Sequence, residues 1–256
     1  MNVVACTRVK NGERYIGRWL DDAHELCTSI CVLDDGSVDA TVQILRDRAR
    51  KQSNIFLHLQ KNLPRDGGRD CNVLYGMAGL LKADWIFAPD VDEFIDPEDK
   101  SLFPDLISLP PESDDILAWT FPFFYFWNDE KHFRVEGEYR DHHVIRLFKY
   151  DEALRPPKRA THCQMCPDEL DRRKVRNAPV RMVHYGYMDP EDRKAKYEFY
   201  TNRDKDPTKA GGGVKDYSHI LGQSALILPY SGRYEWLEAQ RAFRSPEAVL
   251  GPYFED

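Results

Sequence analysis

The chain has 256 residues, of which 42% are hydrophobic and 12% aromatic. That is enough apolar surface for a full core, and it excludes wholesale disorder and two large domains. Forty-three acidic residues against thirty-six basic ones give a net charge of −7, which argues against a protein whose main task is coating nucleic acid or an anionic membrane. A charged residue precedes any apolar run long enough for a signal peptide, and no stretch reaches the roughly 18 apolar residues of a membrane span, so the expectation is a cytoplasmic protein.

Residues 2–6 form a short apolar run, and Ile16, Trp19, Leu20, Ala23 and Leu26 follow at helical spacing, which predicts a strand leading into an amphipathic helix. Residues 29–33 (SICVL) predict a second strand ending at Asp34-Asp35-Gly36-Ser37. Ser37 is placed to cap a helix carrying Val38, Val42, Leu45 and Ala49. Residues 55–59 read as a third strand, Leu74, Met77, Ala78 and Leu81 mark a helix, and residues 85–88 a fourth strand running into PDVDEF. Strands and helices alternating at this spacing predict a mainly parallel sheet flanked by helices, with ligands at the carboxyl ends of its strands.

After Pro110 and Pro111 the pattern becomes mixed. Residues 116–120 continue into the aromatic run FPFFYFW, and residues 143–148 and 181–185 read as further strands. Residues 193–203 read as a helix, the glycines at 211–213 as a joint, and residues 233–244 as a final helix. The expected organisation is a first half over residues 1–110, a second half of the same domain over 111–208, and a helical appendage over 209–256.

Charge is uneven: residues 84–115 hold eleven acidic side chains and one basic, whereas residues 155–181 hold eight basic and three acidic. Within the acidic stretch Asp90-Val91-Asp92 directly follows an apolar strand, and strand alternation would turn both carboxylates to one side. Hard oxygen ligands in that arrangement suit Mg²⁺ or Mn²⁺, ions commonly held by one or two carboxylates and the phosphates of a substrate. Asp34 ends a neighbouring strand, where it can accept hydrogen bonds from a base or ribose. Helix capping accounts for Ser37 and Asp39 but not for two carboxylates stacked at a strand end.

Four segments, VVACTRVKNGERYIGRWL, VLDDGSVDAT, GGRDCNVLYGMAG and DWIFAPDVDEF, in this order and spacing resemble the family 2 glycosyltransferases of the GT-A fold over residues 2–96. The resemblance implies a Rossmann-like α/β nucleotide-diphospho-sugar transferase fold with a mixed α/β acceptor half. It implies a metal-dependent, inverting transfer of a sugar to an acceptor hydroxyl, with a UDP-sugar as first choice of donor. Carried across residue by residue, it assigns Thr7, Arg8, Asn11, Asp34, Asp35, Arg69 and Asp90 to the nucleotide sugar, and Asp90 and Asp92 to Mn²⁺ or Mg²⁺. RMVHYGYMDPEDRKAKYEFY is similar to a HYGY segment and Lys/Tyr-rich helix in one branch of these enzymes, which would bring His184 to the metal or diphosphate.

The catalytic base stays open. The related branch has a His-Glu pair after its RLF strand, whereas this chain reads KRATHCQMCPDELDRR: His162 is followed by Cys163 and the Glu is missing. Asp168, Glu169 and His162 are rival candidates, with Asp129 outside them. His162, Cys163 and Cys166 resemble half a zinc site without a second pair of ligands, and reduced thiols are expected for all six cysteines. The aromatic run is read as core, with Trp127-Asn128-Asp129 at its end facing an acceptor. Acceptor classes left open are glycan, lipid, protein or modified nucleobase. Rival functions are a non-catalytic nucleotide-sugar-binding subunit and, ranked last, a nucleotidyltransferase.

Overall fold

The computed structural model describes residues 1–61, 63–108, 115–158, 163–203, 216–222 and 225–230. The first half is built as alternation predicts. Strands β1 (Val3–Val9), β2 (Ser29–Asp34), β3 (Ile55–Leu59) and β4 (Trp85–Phe87) are interleaved with helices α1 (Ile16–Leu26), α2 (Thr41–Lys51) and α3 (Gly67–Leu80). β1 pairs in parallel with both β2 and β4, and β2 with β3, so the order is β4-β1-β2-β3. The carboxyl ends of these strands therefore share one edge of the sheet.

The second half is mixed, also as expected. β5 (Glu93–Ile95) and α4 (Phe103–Ile107) lead to the long β6 (Ala118–Trp127), followed by β7 (Asp129–Arg134), β8 (His143–Lys149), β9 (Val175–Asn177), β10 (Met182–His184), α5 (Pro190–Arg203) and β11 (Ile227–Pro229). β8 joins the halves by running antiparallel to both β4 and β6. β6 also pairs in parallel with β10, and β10 is antiparallel to β5. Glu93, His184 and Tyr125 consequently stand in one row across β5, β10 and β6.

Apolar side chains pack on both faces of the sheet. One cluster joins α1 and α2 to Trp85, Phe87, Phe121 and the later aromatic strand; the other places α3 over Val4, Cys31 and Ile86 and includes Cys163, Met165, Cys166 and Leu170. Removing a fully buried Trp19 or Trp85 side chain would cost about 3–5 kcal/mol. All six cysteines are free and buried, which agrees with the expected reduced thiols. Among the described residues no helix is long and apolar enough to cross a membrane.

Several expectations need correction. Ser37 does not cap α2, which starts at Thr41; the Ser37 hydroxyl instead accepts from Asn11 N, and Val38 is exposed outside the helix. Asp39 takes over locally by accepting from Thr41 N at 3.0 Å. Asp90-Val91-Asp92 is a turn between β4 and β5 rather than a strand end, so the alternation argument for its carboxylates does not hold. Trp127 does not face outward: it is buried, with the Arg134 and Arg193 guanidiniums 4.5 and 4.2 Å from its ring. The glycines at 211–213 and the final helix at 233–244 lie outside the described residues, and the described part of 209–256 adds β11 to the sheet edge against β7.

Candidate functional site

The loops after β1 and β2 are stitched together by side chains, of which the sequence singled out Asn11 but not Glu13 or Thr41. Asn11 Oδ1 accepts from Val38 N, Thr41 Oγ1 from Gly12 N, and Glu13 Oε2 from Ala40 N. Asn11, at φ 53°, thus shapes the loop. Asp34 Oδ1 accepts from Gly36 N and Ser37 N at 3.1 and 3.0 Å, closing the turn where Gly36 takes φ 75°.

Four buried polar atoms on this edge lack a hydrogen-bond partner among the described residues: Thr7 Oγ1, Arg8 Nη1, Asp34 Oδ2 and Asp70 Oδ2. Native proteins leave few such atoms, and a water or a ligand group completes their bonding. Arg69 reaches Asp70 Oδ1 at 2.8 Å and stands 3.9 Å from Asp35. Burial and the neighbouring Asp70 raise the Asp35 carboxyl, against Lys10, Arg65 and Arg69. Asp70, fully buried and also held by Gln60 Nε2, was not singled out from sequence, because a polar residue in the first turn of a helix reads as an ordinary cap.

Further along the edge, the DVD turn separates its two carboxylates onto different cations. Asp90 Oδ2 accepts from Arg146 at 3.1 Å, and the same guanidinium binds buried Glu93 at 2.5 Å. Burial raises the Glu93 carboxyl; Arg146 opposes this, and Asp90 and Asp92 add to it. Asp92 Oδ2 accepts from Lys196 Nζ at 3.1 Å and stands 4.0 Å from His184 Nε2. Burial opposes its charge, but Lys196 and His184 outweigh burial and hold the Asp92 carboxyl well below the usual range. His184 is pushed down to about 4, chiefly by burial, so its imidazole is neutral at pH 7.

Gly186 explains how these groups approach so closely. A methyl group there would collide with Asp92 Oδ2 and Lys196 Nζ and stand 2.7 Å from His184 Cε1. Tyr185 N donates to Asp92 O at 2.9 Å and Gly186 N to His184 Nδ1 at 3.0 Å, so the HYG backbone fixes both the DVD turn and the ring. The Tyr125 and Tyr187 rings flank His184 at 5.0 and 5.1 Å, and Tyr125 hydroxyl bonds His142 Nδ1. Arg146, Glu93, Gly186 and Lys196 escaped the sequence reading. The signal was present in the Arg of HVIRLF, the Glu of DVDEF and the Gly of HYGY, but only β8, β5 and β10 bring them together.

Among the described residues, no three His, Cys, Asp or Glu side chains converge as a metal cage. Asp92, with His184 beside it, suits instead an ion that takes one or two protein ligands and completes its shell from phosphate oxygens. Asp90 belongs to Arg146 and is half exposed.

Of the base candidates, His162 lies outside the described residues, and Asp168 and Glu169 are exposed in a turn whose apolar neighbours pack against α3. Asp129 is exposed and bonded to His132. Cys163 and Cys166 are buried, with Cys163 Sγ near Pro157 O and Cys166 Sγ near Arg172. The basic segment does not gather at the strand edge as a unit: Arg181 is fully buried among Asp96, Glu98 and Asp99, and Arg173 pairs with Asp171.

No protein-family model matches the chain. It is 27% identical over 234 residues to uncharacterised proteins of Mycobacterium bovis and Mycobacterium tuberculosis. The match takes in 87% of this chain and spans only 55% of the length of those relatives. Among solved structures it is similar to Staphylococcus aureus TarS 1–349, with TM-score 0.45 and 13% identity over 95% of this chain and 74% of that one. It is also similar to a mannosyltransferase from Pyrobaculum calidifontis solved with GDP-Man and Mn²⁺, with TM-score 0.37 and 18% identity over 47% of this chain and 35% of that one.

Proposed function

We propose that the chain is a glycosyltransferase that moves a sugar from a nucleotide-diphospho-sugar to an acceptor hydroxyl with inversion. The observation that carries this reading is the placing of Asp92 and neutral His184 over Gly186, on the same strand edge as Asp34 with its unpartnered oxygen. β1 lies between β2 and β4, so Asp34 and the segment leading to the DVD turn leave the same sheet edge two strands apart, which suits a nucleoside at Asp34 and a diphosphate near Asp92. The resemblance of residues 2–96 to family 2 glycosyltransferases points the same way.

In this reading Asp34, Asp35 and Arg69 hold the nucleoside, with Thr7, Arg8, Asn11 and Asp90 lining the rest of the donor site. Asp92 and His184 would hold Mn²⁺ or Mg²⁺, with Asp90 beside them, and a bound divalent ion would supply neutralisation of charge on the departing diphosphate. Arg146 orients Asp90 and Glu93 from below. The base is sought among His162, Asp168 and Glu169, and the halves 1–110 and 111–208 supply donor and acceptor surfaces.

A thermal-shift and hydrolysis screen with UDP- and GDP-sugars, in Mn²⁺, Mg²⁺ or EDTA, tests the reading. Selective stabilisation by one donor with slow release of its nucleoside diphosphate is expected, since a ligand at 100 times its Kd adds about 2.7 kcal/mol. Stabilisation without turnover, with any acceptor class tried, would favour a non-catalytic binding subunit. No response to any donor would remove the reading altogether.

A further inference from the structure

The DVD turn meets a cation that the sequence pattern did not announce. Lys196, in the second turn of α5, donates to Asp92 Oδ2 at 3.1 Å and lies 4.5 Å over the Tyr187 ring. The ammonium therefore stands on the same carboxylate oxygen that faces His184 at 4.0 Å, in the space that Gly186 leaves open. A divalent ion bound to that oxygen would sit about 2.0–2.6 Å from it, inside the reach of the ammonium. Two cations cannot share one carboxylate oxygen at those distances without strong repulsion.

We propose that Lys196 is an exchangeable counter-ion: it neutralises Asp92 while the donor is absent and moves to a phosphate oxygen of the donor when a divalent cation takes Asp92. This rests on the nucleotide-sugar reading and adds to it a positioning residue that couples metal and donor. The exchange keeps the charge balanced, because Asp92 passes from ammonium to metal as the ammonium passes from carboxylate to phosphate. It needs no movement of α5, since a lysine ammonium swings on a four-carbon stem. Tyr187 offers the charge a ring face on the way. The side chain is 29% exposed, so it has an outlet toward solvent and ligand. A lysine serving only to brace α5 against the DVD turn would add stability, and its removal would leave nucleotide affinity in Mn²⁺ alone.

The test is calorimetric titration of Mn²⁺ alone, and of UDP and GDP in Mn²⁺, into the wild type and into Lys196→Met and Lys196→Arg. Without nucleotide, Lys196→Met is expected to bind Mn²⁺ at least about tenfold more tightly than wild type, and with Mn²⁺ to bind the nucleotide at least about tenfold more weakly. Lys196→Arg, which keeps the charge, should recover most of the nucleotide affinity. Unchanged or weaker Mn²⁺ binding by Lys196→Met would overturn the exchange, and so would unchanged nucleotide binding. Wild type that binds neither nucleotide would instead overturn the nucleotide-sugar reading itself. Should Lys196→Met fail to fold, Lys196→Gln, uncharged and one atom shorter than lysine, reads the same two affinities.

Discussion

At the scale of single residues, the site depends on one missing side chain. Gly186 carries no Cβ, and the space that leaves is filled by the Asp92 carboxylate and the Lys196 ammonium. The expected effect of Gly186→Ala is loss of Mn²⁺ binding with a small change in melting temperature, because the added methyl meets movable side-chain ends rather than backbone. Calorimetry and a melting curve on the same sample check this, and undiminished Mn²⁺ binding would mean that Asp92 and His184 are not its ligands. Asp92→Asn keeps the shape of the turn but removes the charge that Lys196 and His184 face. Transfer should fall at least about 100-fold, the scale of losing one electrostatic group that acts on developing charge. Steady-state kinetics with the donor found by the screen would show it, and full activity would clear Asp92 of a role.

Among the elements, β10 is the one whose setting the sequence hid. It is three residues long, Met182–His184, and carries His184 at its end. Just before it Arg181 is fully buried, with Asp99 at 2.8 Å and Asp96 and Glu98 at 3.1 and 3.0 Å, while Tyr230 hydroxyl reaches both Arg181 and Asp96. In the sequence these are one arginine of a basic stretch and three acids of a solvated-looking run, more than eighty positions apart; only the antiparallel pairing of β5 with β10 joins them. The parallel half was legible because its strands and amphipathic helices follow each other closely and report their own period. The DVD carboxylates were legible as residues, but not their directions, because a turn of three residues has no period to read. Asp99→Ala leaves the guanidinium with its best partner gone and should destabilise by about 3 kcal/mol, the lower end for breaking a buried pair. Urea denaturation measures that loss, and Mn²⁺ affinity should drop with it as β10 loosens; a change under about 1 kcal/mol would make the cluster dispensable.

Taken whole, the molecule carries a net charge of −7 and yet is expected to hold an anionic donor, so the charge around the strand edge decides how. Most of the described cations there are already held: Arg69 by Asp70, Arg146 by Glu93 and Asp90, and Lys196 by Asp92, while Arg8 keeps an unpartnered Nη1. Asp34 and Asp35 add further negative charge beside them, and among the described residues the acids there outnumber the cations. The missing charge has to arrive with the ligand, which is what a divalent ion bridging Asp92 and the phosphates would provide. Nucleoside diphosphate should therefore bind at least about tenfold more weakly in EDTA than in Mn²⁺, whereas the uncharged nucleoside should bind equally in both. Raising the salt concentration should weaken the diphosphate and spare the nucleoside, since screening acts only on the charged part. Titrating UDP and uridine, or GDP and guanosine, under the four conditions measures both effects, and equal diphosphate affinity with and without metal would show that Arg8, Arg146 and Lys196 suffice on their own.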